Sequence, residues 1–181
     1  HRSGTSALTR LLNLHGAVLG EDLLPAGHDN PSGFWELREA VAIHERLLAG
    51  LGMAWDDPRP LPPGWDNSGA ARRASDEIGA LIDQTFAGEA LWAVKDPRLC
   101  RLAPLWSRAM RARGIEPHAI LVARHPAEVA HSLPDGEVLE VVAEVGLGLA
   151  HGAFILSMAS AMATVRCAIS ACSSSTMRPS T

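Results

Sequence analysis

Apolar residues recur along the chain with two periods. Ala7, Leu8, Leu11, Leu12 and Leu14 repeat at helical spacing and predict a helix over 5–15, with Ser3 or Thr5 as its N-cap. GAVLG (16–20) is a short apolar run between glycines, and 21–33 is a turn-rich loop. Helical periodicity returns over 34–52, where Gly50 and Gly52 stop it, and again over 70–88 and 101–114. ALWAV (90–94) and HAILVA (118–123) are continuous apolar runs, the pattern of strands buried on both faces. Another helix is expected from 125, with Pro126 in its first turn. Strand and helix in alternation predict an α/β fold with a parallel sheet.

The pattern breaks after Glu144. All 20 acidic residues of the chain precede that point, and 145–165 contains no Asp, Glu, Lys or Arg. A charge-free run of this length could cross a bilayer. Its dilution by Gly, Ala, Ser and His, and its lack of flanking aromatics and a basic cluster, argue against a membrane span. Met158 and Met162, at helical spacing within it, read as core filler. The remainder is rich in Ser, Cys and Thr. The chain therefore divides into an α/β domain over 1–144 and an atypical tail over 145–181. A shifted reading frame is one account of that tail.

Composition narrows the function. With 181 residues, one domain with a sizeable core is expected. A net charge of -4 without a basic stripe argues against a general nucleic-acid binder. Three cysteines (Cys100, Cys167 and Cys172) without a CxxC pair suit a reducing, cytoplasmic compartment, with neither a disulfide framework nor a zinc site. Lys95 is the only lysine.

Three loops carry the candidate chemistry. HRSGTS (1–6) runs straight into the first helix. A glycine-containing loop at a helix start offers free N–H groups and dipole charge to an anion. Arg2, Ser3, Gly4, Thr5 and Ser6 supply a guanidinium, hydroxyls and close backbone approach. The loop lacks the Lys of a Walker A motif, and an ordinary capped helix start is the alternative. In ARHPAEVAHSL, Arg124 leaves a strand end and Ser132 follows eight residues later. The pair could clamp a second phosphate at the carboxyl edge of the sheet. Alternatively, Arg124 pairs with Glu128 at i+4. In KDPRL, Lys95, Asp96 and Arg98 sit at another strand end and are expected to face the same crevice. Lys95 could neutralise charge on a transferring group. The alternative there is a Lys95–Asp96 surface turn.

Together these stretches resemble the PAPS-dependent sulfotransferase family, most closely its bacterial branch. RSGTS is similar to that family's 5′-phosphosulfate loop, and RHPAEVAHS to its 3′-phosphate element. NPSGFWELRE and VKDPRL look like the stretches between them. The resemblance covers residues 1 to about 133 and implies a P-loop-like three-layer sandwich with a central parallel sheet, whose first strand is missing here. It implies transfer of a sulfuryl group from 3′-phosphoadenosine 5′-phosphosulfate (PAPS) to an acceptor hydroxyl or amine, with no metal. Arg2, Ser3, Gly4, Thr5 and Ser6 would hold the 5′-phosphosulfate, and Arg124 and Ser132 the 3′-phosphate. Arg2 stands where many relatives carry Lys, and Lys95 matches a second cation near the transferred group. The acceptor would be a small molecule, a glycan or a lipid. The family would continue past 144 with charged helices, which this tail lacks.

The acceptor's proton needs a general base. Where some relatives place a His after the second strand, this chain has Pro97 and Arg98. Others use a Glu near the first helix. Glu36 is the first choice, because Phe34 and Trp35 could desolvate it. Glu21 and then His28 follow. The alternative for either Glu is a solvated or helix N-terminal carboxylate. Trp55 and Trp65, in the Pro-rich loop 53–69, either line an acceptor pocket or pack the loop on itself. Two rival functions are a P-loop kinase, which would need Asp96 as its Mg²⁺ ligand, and a non-catalytic remnant of a sulfotransferase.

Overall fold

A computed structural model describes residues 4–27, 30–123, 125 and 151–158, the last eight as backbone. The elements run α1 (Thr5–Leu14), α2 (Arg38–Gly50), a 3-10 turn (Trp65–Asn67), α3 (Gly69–Thr85), β1 (Leu91–Lys95), α4 (Leu99–Arg111), β2 (Pro117–Ala123) and β3 (His151–Met158). The described residues thus form a mixed helix-and-strand architecture.

Alternation along β1 organises two cores. Trp92 and Val94 join a large cluster with α2, α3 and α4, built on Ile43, Leu47, Ile78, Leu102 and Trp106. Ala93 joins a smaller cluster with Leu12 of α1, Ala17 and Leu19. Successive strand residues point to opposite faces, so helices cover β1 on both sides. Residues 17–19 run beside β1: Val18 forms a parallel bridge with Trp92, with N–O distances of 3.0 and 2.9 Å to Leu91 and from Ala93.

The sheet departs from the expected purely parallel order. β3 lies between β1 and β2 and pairs antiparallel with both. β1 and β2 therefore point the same way, as a strand–helix–strand crossover requires, but are not neighbours. The charge-free stretch HGAFILSM supplies the inserted strand, a continuous apolar run of the kind central strands show. Met158 ends that strand rather than lying on a helix; Met162 lies outside the described residues.

Element limits follow local chemistry. α1 has Gly4 as its N-cap at φ 91, and Thr5 is the first helical residue rather than the cap; Ser3 lies outside the described residues. A left-handed φ suits glycine alone without strain. α3 has a side-chain cap, Ser68 Oγ accepting from Ala71 N at 3.1 Å. α2 starts at Arg38, not at 34. Trp35 adopts φ 60, and residues 36–38 pair with 22–24 through the Leu23–Leu37 bridge. The Pro-rich loop is fastened to α4: Arg101 donates to the carbonyls of Asp57 (2.9 Å) and Arg59 (2.7 Å). Trp65 packs against the large core, whereas Trp55 is half exposed. Among the described residues no helix is long and apolar enough to cross a membrane.

Candidate functional site

β1 ends by sending two adjacent charged side chains to opposite faces, and both are buried. Lys95 turns toward α1 and Asp96 toward α2 and α4. They therefore do not share one crevice, and they do not form a surface turn.

On the α1 face, Lys95 Nζ makes an ion pair with Glu36 Oε1. It also donates to the Phe34 carbonyl at 3.2 Å and reaches Ser6 Oγ at 3.5 Å. Ser6, in the first turn of α1, donates to the same Phe34 carbonyl at 3.3 Å and accepts from Asn30 Nδ2 at 3.2 Å. An ammonium has three donors, and here each has a protein partner. Trp35 stands between the two groups that converge on Lys95. A positive φ is a strained choice for a bulky residue. Its ring is held by an Nε1 hydrogen bond to the Ser32 carbonyl (3.0 Å) and by the Arg10 guanidinium, 4.7 Å from the ring centre.

Glu36 is neither solvated nor helical. It is 5% exposed and sits in the extended segment before α2. Burial pushes its carboxyl above the ordinary value, against the opposing pull of the Lys95 ammonium. Glu21 is exposed and takes no part. Of the other expected residues, Gly4 and Thr5 lie at the start of α1, with Thr5 buried. Arg2, Ser3, His28, Arg124, Glu128 and Ser132 lie outside the described residues.

The opposite face is a buried polar network, in which the Arg98 Nε lacks a partner among the described residues. Asp96 Oδ2 lies 2.9 Å from His44 Nδ1, and Trp106 Nε1 lies 2.7 Å from His44 Nε2. An indole nitrogen only donates. His44 Nε2 therefore accepts, and the ring proton sits on Nδ1, where it is donated to Asp96. Arg98 adds its backbone N–H (2.8 Å) and Nη1 (3.0 Å) to Asp96 Oδ1, and its Nη2 to Glu45 (2.9 Å). Burial alone would raise the Asp96 carboxyl, but the His44 hydrogen bond and the Arg98 charge outweigh it and hold the group below its ordinary value. With both oxygens engaged, Asp96 is a structural anchor and ill suited to holding Mg²⁺.

Sequence reading alone missed Asn30, His44 and Trp106. Asn30 had a faint signal, as the first residue of NPSGFWELRE. His44 meets partners 52 and 62 positions away, a pairing no local pattern announces. Among the described residues no group of three or more His, Cys, Asp or Glu is placed to hold a metal. A surface depression of about 550 Å³ on α4, lined by Ala103, Pro104, Ser107, Arg108 and Arg111, shares no residue with the Lys95 cluster. Comparison with family models, with curated proteins and with solved structures finds no match to this chain.

Proposed function

We propose that this chain is a sulfotransferase domain that uses PAPS, built on a P-loop-like α/β sandwich in a cytoplasmic setting. The observation that carries the reading is the meeting of Ser6, Lys95 and Glu36 where α1 begins. Among the described residues no side chain caps the first-turn N–H groups of α1, and such a helix start favours an anion. The chain's only lysine stands beside it. An anionic donor group fits these residues: Gly4, Thr5 and Ser6 would hold its 5′ end with Lys95, alongside Arg2 and Ser3. Arg124 and Ser132 would hold the 3′-phosphate.

PAPS supplies the electrophilic sulfur. In the transfer, the acceptor oxygen or nitrogen forms a bond to sulfur while the sulfur–oxygen bond to the 5′-phosphate breaks. The acceptor proton passes to the Glu36 carboxylate, and adenosine 3′,5′-bisphosphate leaves. Lys95 and the α1 N-terminus offset the negative charge on the equatorial and leaving oxygens. A raised carboxyl pKa suits a general base near neutral pH. The acceptor is a small molecule, glycan or lipid, met by the loops at 21–33 and 53–69. The kinase reading is disfavoured by the engagement of both Asp96 oxygens.

Calorimetric titration with adenosine 3′,5′-bisphosphate, and separately with ATP and Mg²⁺, tests the reading. Binding of the bisphosphate that is lost in Lys95→Met supports it. Preference for ATP with Mg²⁺, or no binding by the folded chain, refutes it.

A further inference from the structure

The Lys95 cluster has no donor to spare. Each ammonium hydrogen has an acceptor: Glu36 Oε1, the Phe34 carbonyl or Ser6 Oγ. Ser6 is equally engaged, donating to Phe34 and accepting from Asn30 and Lys95. A ligand oxygen at the start of α1 can receive a hydrogen bond from Lys95 only if one of these partners yields. Glu36 is the partner that an anion can replace in kind, since both bring negative charge to the same ammonium. The pair is almost fully buried, with side chains 4% and 7% exposed, so a carboxylate and a ligand anion would repel strongly across it.

We propose that Glu36 occupies the place of the ligand anion on Lys95 when the site is empty, and that arrival of the anion transfers Lys95 to it and frees the Glu36 carboxylate. The proposal rests on the sulfuryl-transfer reading and adds an order of events to it. Lys95 has two positions, and Glu36 becomes an unpaired base only in the loaded site. The charged groups acting on Glu36 are Lys95, Asp96 and Arg98. Asp96 and Arg98 are tied to each other and to His44 and Glu45, which leaves Lys95 as the group able to move. Once Lys95 withdraws, the buried carboxylate loses its counter-charge and binds protons more readily.

Two consequences are measurable. Anion binding takes up protons from solution, and removing the Glu36 charge strengthens anion binding, because competitor and repulsion vanish together. The probe is adenosine 5′-phosphosulfate, whose oxygens carry no titrating proton near neutrality. The full chain and Glu36→Gln are titrated in two buffers of different ionisation enthalpy, with thermal unfolding measured for both. The expected result is proton uptake by the unsubstituted protein, none in Glu36→Gln, and binding to Glu36→Gln about fivefold or more tighter. Binding without proton uptake, or equal or weaker binding by a folded Glu36→Gln, overturns the proposal. Should Glu36→Gln fail to fold, proton uptake by the unsubstituted protein decides. If adenosine 3′,5′-bisphosphate binds and the phosphosulfate does not, the proposal fails while the functional reading stands. If neither binds, both fail.

Discussion

The two faces of β1 use the same materials for opposite ends. Lys95 and Asp96 are neighbours, both are buried and both meet a partner of complementary polarity. Asp96 sits under α2 and α4, and its contacts are redundant: His44, the Arg98 backbone and the Arg98 guanidinium. Lys95 sits beside the start of one helix, and its partners include a serine hydroxyl and a carbonyl next to a strained residue. A polar group with several fixed partners stabilises a fold. One whose partners can be exchanged can bind a ligand. Burial alone does not distinguish the two.

Substitutions on the two faces test that contrast. Asp96→Ala leaves His44 and Arg98 without their shared acceptor, and it should cost about 3 kcal/mol or more in chemical denaturation. A loss under 1 kcal/mol would show the network to be dispensable, since single surface changes stay within about 0.5 kcal/mol. Trp106→Phe removes the donor to His44 Nε2 and part of a fully buried ring. About 1–3 kcal/mol should be lost in the same assay.

On the Lys95 face the effect depends on pH. The Glu36 carboxyl lies above its ordinary value of 4.5 in the folded chain, so the fold binds its proton more tightly than the unfolded chain does. That stabilisation is complete below pH 4.5 and is lost as pH rises through the folded value. Glu36→Gln should therefore gain stability relative to the unsubstituted protein as pH rises above that point, measured by thermal unfolding across pH. A constant difference would place the burial cost elsewhere. Ser6→Ala should have the smallest effect on folding, about 1 kcal/mol or less, while weakening bisphosphate binding in titration. The reverse order, a large folding loss with unchanged binding, would move Ser6 to the structural face.

Much of the fold was legible because periodicity is local. Four helices and two of the strands lie where the apolar pattern puts them. The start of α2 was misplaced because Trp35 carries an apolar side chain on a backbone that cannot be helical. β3 is hidden because it lies inside the longer charge-free run 145–165, where Met158 and Met162 suggest a helical period. Lys95 and Glu36 could be nominated from motif and chain position, but their pairing is 59 residues long-range and only folding reveals it. The expectation that Asp96 shares a crevice with Lys95 fails because adjacent residues at a strand end point to opposite faces.

The solitary lysine has a practical consequence. Any amine-directed reagent applied to this chain has one side-chain target, and that target is 4% exposed. The rate at which Lys95 is acylated therefore reports how often its surroundings open, residue-specifically and without a substitution being introduced. Protection or exposure by a candidate ligand can be read from a single peptide by mass.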